Sequence, residues 1–190
     1  MAKLTYFAYG SNMLASRLAA RCKSAKVVGN ALAEGFSLEF SKPSIDGSGK
    51  GHLVKSDEGN TSQPGVLFEI DISELLELDR VEGAGKGYRR EECFECRNSA
   101  NELIHAITYL GTERNVTLKP YDWYLALIVA GARENGFDAG DVDKLLSFAR
   151  MEDANPDRPT RLEACGLILG AGYESPAHAL EPGAVPGEKR

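Results

Sequence analysis

"GVLFEIDISELLELDRVEG", residues 65–83, changes its hydrophobic period halfway along. The first part alternates, with Val66, Phe68 and Ile70 on one face, and reads as a strand. The second part, "SELLELDR", reads as a short helix. Asp71 and, three residues later, Glu74 fit a capping box at its start. Gly83, Gly85 and Gly87 then break the pattern, so the helix is expected to stop there.

Outward from this unit, strands and helices mix without a βαβ rhythm. Upstream, "LTYFAY" (4–9) carries apolar residues on both faces, as a strand covered on two sides does. It stops at Gly10-Ser11-Asn12, and "MLASRLAARC" follows as a short helix. "FSLEF" (36–40) and "HLVK" (52–55) read as strands around a long turn-rich loop, "SKPSIDGSGKG". Downstream, "YRREECFECR" and "ELIHAITYL" read as a hairpin turning at residues 98–101. Pro120 opens a helix with Tyr124, Leu127, Ile128 and Gly131 along one stripe, and Asn135-Gly136 stops it. "AGDVDKLLSFARME" reads as another amphipathic helix, and "RLEACGLILGAGY" as a segment apolar enough to pack. "ESPAHALEPGAVPGEKR" holds little to bury and is expected to trail as a mobile tail. The class implied is α+β, not a doubly wound sheet.

The chain of 190 residues is long enough for one core, with 43% hydrophobic and 26% charged residues. Its formal charge of -6 offers no basic footprint for nucleic acid or an anionic membrane surface. No apolar run reaches membrane-span length, and "MAKLTYFAYG" shows no secretion signal, so a cytoplasmic location is expected. Of four cysteines only Cys93 and Cys96 are paired in sequence. In a strand they point to opposite faces, which suits neither zinc nor a redox turn, so reduced thiols are expected.

Three places could carry chemistry. The Gly10-Ser11-Asn12 turn presents backbone N–H groups at a helix start, suited to a carboxylate or oxyanion; equally, Ser11 or Asn12 could simply cap that helix. Ser11 as a nucleophile lacks a GxSxG elbow, and His52, His105 and His178 lie in strands or the tail. Glu82 stands at a helix C-terminus, facing the negative end of the helix dipole, a position that suits a general base. The alternative is a solvated glutamate beside a flexible loop. Tyr124 reads either as a core tyrosine or as one whose phenol reaches a ligand.

Taken in order, "YFAYGSN" (6–12), "GVLFEIDISELLELDRVEG" (65–83) and "YLALIVAGARENGF" (124–137) resemble the gamma-glutamylcyclotransferase family, over roughly residues 4–150. The resemblance implies a small mixed β-barrel with flanking α-helices and a pocket at one barrel end. It implies cyclisation of a γ-glutamyl amide to 5-oxoproline with release of the amine, without metal or organic cofactor. On this resemblance Glu82 is the catalytic acid/base. Tyr6, Phe7, Ala8, Tyr9, Gly10 and Ser11 form the substrate loop, with Asn12 completing the motif, and Tyr88 and Tyr124 are added aromatics. The partner implied is a small γ-glutamyl molecule, with a homodimer left open. Residues 1–153 are read as the family-like domain and 154–190 as a C-terminal extension, partly packed and then mobile. Two other readings stay open: γ-glutamyl deprotection of a biosynthetic intermediate, and a non-catalytic ligand-binding module. Lys42, Lys50 and Lys86 are candidate partners for a distal substrate carboxylate, or solvated loop lysines.

Overall fold

A computed structural model of the chain describes residues 2–187. Strand β5 (Ser62–Asp71) has antiparallel partners on both edges: β1 (Lys3–Ala8), with Tyr6 opposite Phe68, and β2 (Lys26–Glu34). Val66, Phe68 and Ile70 are buried on one face and Leu67 on the other, as a strand covered on two sides requires. Two further strands, β6 (Tyr88–Asn98) and β7 (Leu103–Gly111), form the expected hairpin. The order β1-β5-β2-β6-β7 closes into a barrel through one parallel pairing, Tyr6 with Ile107. Closure leaves this sheet without a long free edge. The α+β barrel with flanking helices is therefore the architecture.

Three close approaches set the geometry. At Gly65 a Cβ would lie 2.4 Å from the Phe7 ring, so glycine lets Phe7 cross β5 and stack on Phe94 at 5.4 Å between centroids. A separate hairpin, β3 (Phe36–Pro43) with β4 (Gly49–Lys55), packs beside β7. There a Cβ on Gly49 would come 1.9 Å from the Phe40 carbonyl oxygen. Helix α3 (Asp122–Glu134) lies on the turn after β1, where a Cβ on Gly131 would sit 2.4 Å from the Leu14 nitrogen.

Several sequence expectations are corrected. Strand β2 was not legible, since seven of its nine residues are exposed or half-buried and Gly29 interrupts it at a register shift. The loop expected across residues 41–51 is a hairpin whose turn spans only 44–48; Gly49 serves packing more than turning. Helix α2 (Leu75–Glu82), preceded by a 3-10 turn at Ile72–Glu74, has no capping box. Glu74 instead accepts from the Lys23 and Ser24 N–H groups, at 3.0 and 3.1 Å. Helix α3 is buried all round from Trp123 to Ala132, not along one stripe, because other elements cover every side.

Three of those covers are α4 (Ala139–Leu146), α5 (Pro159–Gly170) and α6 (Pro176–Ala179). The final segment, expected to have little to bury, places Ala179 and Leu180 in the core. Arg133 also donates to the Ala179 and Glu181 carbonyls, at 2.6 and 2.8 Å. The contacts continue to Gly187, whose N–H bonds the Gly172 carbonyl at 2.9 Å; the last three residues lie outside the described range. Cys93 is exposed and Cys96 buried, on opposite faces of β6. Among the described residues no helix is long and apolar enough to cross a membrane.

Candidate active site

Helix α2 delivers Glu82 to the barrel mouth. Its buried Leu78 anchors the helix, and Asp79 accepts the Tyr109 hydroxyl at 2.7 Å and pairs with Arg90. Glu82 is the last helical residue. Gly83 follows in the left-handed region at φ 72°, which ends the helix and leaves the glutamate at its rim.

The turn after β1 meets it there. Asn12 Nδ2 donates to Glu82 Oε1 at 2.8 Å and to the Tyr6 hydroxyl at 3.1 Å. Neither Ser11 nor Asn12 caps a helix, which sets aside the capping alternative. Ser11 Oγ accepts from Arg17 Nε at 3.2 Å, and Arg17 pairs with Glu163 of α5 at 3.2 Å. Helix α3 holds the turn from behind. Asn135 Nδ2 donates to the Met13 carbonyl, and Glu134 accepts the Ala15 N–H, both at 2.9 Å.

Tyrosines complete the enclosure. The Tyr88 hydroxyl donates to the Gly51 carbonyl at 2.6 Å, the Gly51 N–H donates to the Tyr124 hydroxyl at 3.2 Å, and the Tyr9 hydroxyl donates to the Tyr109 carbonyl. Burial pushes the phenols of Tyr6, Tyr9, Tyr88, Tyr109 and Tyr124 upward, so they stay neutral at ordinary pH and act as uncharged donors and acceptors. The cavity they share with Gly10, Ser11, Asn12, Gly51 and Glu82 has a volume of about 30 Å³.

Of the residues singled out beforehand, Tyr6, Tyr9, Gly10, Ser11, Asn12, Glu82, Tyr88 and Tyr124 line this cavity. Phe7 and Ala8 do not. Phe7 is committed to the aromatic stack with Phe94, and Ala8 is fully buried in the strand. Gly51, Tyr109 and Arg21 were missed. Arg21 Nη1 donates to Glu82 Oε1 at 2.8 Å and to Asn12 Oδ1 at 2.9 Å. The helix-end case for Glu82 as a base therefore meets a counter-charge that was invisible in the sequence. Its only signal there was Arg17 and Arg21 one helical turn apart beside the Gly-Ser-Asn turn. Tyr109 could have been suspected from its alternation in β7.

Lys50 is no solvated lysine. It pairs with Asp46 at 2.7 Å and lies 4.6 and 4.9 Å from the Tyr124 and Trp123 ring centroids. Lys42 lies 4.8 Å from the Tyr88 centroid. A larger cleft of about 720 Å³ is lined by His52, Arg89 and Leu110, the immediate neighbours of Gly51, Tyr88 and Tyr109. Its lining shares no residue with the cavity around Glu82. His52 there meets Ser41 at 3.3 Å.

A model of the AIG2-like family matches residues 64–145. The gamma-glutamylcyclotransferase of Bos taurus is 30% identical over 147 residues, covering 75% of this chain and 77% of its own. That of Homo sapiens is 29% identical over 152 residues, with the same coverage. A solved structure of a gamma-glutamyl cyclotransferase superposes with a TM-score of 0.77 at 26% identity, covering 85% of this chain and 97% of its own.

Proposed function

Since the chain belongs to the gamma-glutamylcyclotransferase family, we propose that it cyclises a γ-glutamyl amide to 5-oxoproline and frees the amine, with Glu82 as general base and then general acid. The observation that carries this reading is the meeting of Glu82 with Asn12 at 2.8 Å, across 70 residues, in a cavity walled by neutral tyrosines.

The nucleophile is the substrate's own α-amine, so no protein nucleophile is needed. Folding the glutamyl chain toward a ring supplies proximity, worth several kcal/mol. At neutral pH the amine is an ammonium, and Glu82 takes its proton. The amine attacks the γ-carbonyl carbon, and Glu82 hands the proton to the departing nitrogen as the amide bond breaks. Glu82 then takes the second proton from the ring nitrogen and passes it to the freed amine, which leaves as an ammonium. The first N–H groups of the 3-10 turn at Ser11–Met13 have no acceptor within their own helix; they support the substrate carboxylate or the oxygen where charge develops. A cavity of about 30 Å³ has room for about one water, so a glutamyl group enters only as side chains move apart. The wall suited to that is the 83–87 segment leading to Tyr88, with positive φ at Gly83, Gly85 and Gly87.

The test is release of 5-oxoproline from a panel of γ-glutamyl amino acids, amines and peptides by wild type and Glu82→Gln. The amide keeps the shape and removes the base, so kcat should fall about 10²–10⁴-fold with substrate binding retained. Undiminished turnover by Glu82→Gln sinks this mechanism.

A further inference from the structure

We propose that Arg21 is the positioning residue of the base: together with Asn12 it pins one oxygen of Glu82 and leaves the other as the atom that accepts and returns the proton. This rests on the γ-glutamyl reading above. Glu82 Oε1 receives Asn12 Nδ2 and Arg21 Nη1, each at 2.8 Å, and the same Nη1 reaches Asn12 Oδ1 at 2.9 Å. The three groups close a triangle in which neither the amide nor the carboxylate can turn without breaking a charge-assisted bond. Oε2 has no hydrogen-bond partner among the described residues, and it is not among the buried polar atoms left unpartnered. It therefore keeps an open side. Arg21 itself does not line the cavity, so it acts through Glu82 and Asn12.

The stem of Arg21 is fixed. Its own N–H and that of Cys22 both bond the Leu18 carbonyl, at 2.9 and 2.8 Å, at the end of α1 (Ala15–Ala19), and Cys22 is fully buried. The Arg21 and Glu82 side chains are each 18% exposed, so solvent screens the pair only partly.

Other groups face Glu82 from every packed element. The phenols of β1, β6, β7 and α3 are kept neutral by burial, and burial pushes the Cys22 thiol up to about 11. Arg17 is engaged by Glu163, Asp79 by Arg90, and Lys42 lies over the Tyr88 ring. Among the described residues Arg21 is thus the one charge in contact with the Glu82 carboxylate. In the reaction the substrate ammonium gives one proton to Oε2, and the neutral amine bonds the γ-carbon. Oε2 hands that proton to the departing nitrogen as the old C–N bond breaks, then takes the second proton from the ring nitrogen and passes it to the freed amine, which leaves as an ammonium. No co-reactant is required, and the pinned Oε1 keeps the same oxygen presented throughout.

The experiment compares wild type, Arg21→Met and Arg21→Lys by kcat and KM at neutral pH, thermal melting, and ¹³C NMR of the Glu82 side-chain carboxyl at the same pH. Arg21→Met frees the carboxylate to turn, so kcat should fall about tenfold with KM within about twofold, and the carboxyl resonance should shift or broaden. Arg21→Lys keeps the charge and loses the fork, so kcat should recover in part. If Arg21→Met does not fold, Arg21→Gln takes its place with the same expected outcome. An unmoved carboxyl resonance, or a loss of kcat that Arg21→Lys does not partly restore, overturns the proposal, including where melting temperature also falls, since that result assigns a strut only. A wild type inactive on every γ-glutamyl amide refutes the functional reading instead, and the carboxyl resonance still decides Arg21.

Discussion

Gly131→Ala joins the packing of α3 directly to the candidate site. The added Cβ would lie 2.4 Å from the Leu14 nitrogen, 2.6 Å from the Met13 carbonyl carbon and 2.9 Å from Met13 Cβ. Ordinary contact begins near 3.5 Å, so helix and turn must separate by about 1 Å. All three obstacles belong to a fully buried stretch, and two are backbone, so no flexible side chain can step aside. Overpacking of this kind costs about 1–3 kcal/mol, and each kcal/mol lowers Tm by about 2–4 °C at this chain length. The turn that moves is the one carrying Asn12, whose bond to Glu82 is 2.8 Å long. A misplacement of about 1 Å at a reacting centre costs about 10²-fold, so kcat/KM for 5-oxoproline release should fall by about that factor. The control is Gly136→Ala on the exit of the same helix. There φ is 68° and nothing lies within 4 Å, so the backbone is strained at a cost of about 1–2 kcal/mol while the turn stays put. Both proteins are assayed well below their Tm. Equal activity loss in the two, or a destabilised Gly131→Ala with wild-type kcat/KM, refutes the reasoning.

Two further outcomes concern stability. Arg158, the Asn155 N–H and the Trp123 indole hold the Asp153 carboxyl down at about 2, against about 3.9 in an unfolded chain. A depressed folded value means a contribution fully present above about pH 4 and lost as pH falls through about 2, so urea midpoints should drop over that window in wild type and be flatter in Asp153→Asn. Lys50→Met leaves Asp46 without its cation beneath the Trp123 and Tyr124 rings, and should cost about 3 kcal/mol in urea unfolding, far more than the loss of an exposed loop lysine.

What the sequence determined by itself was local. Alternation in Val66, Phe68 and Ile70, the glycine stop after Glu82, the Asn135-Gly136 stop and the amphipathic pattern of α4 depend on neighbours a few residues away, and each is found where periodicity and turn chemistry put it. The family resemblance carried Glu82 and the turn after β1 to one site, and with them the barrel. Tertiary structure decided what depends on distant partners. Strand β2 exists because β5 offers it an edge, not because its own pattern demands extension. Residues 176–180 pack because α3 leaves apolar surface for them. Glu74 serves the Lys23-Ser24 backbone in place of its own helix start. Arg21 meets Glu82 across 61 residues, and no local rule ranks that pair above the many solvated arginines and glutamates of a chain like this one. Only the closed barrel, by bringing the end of α1 against the end of α2, sets which cation stands beside the base.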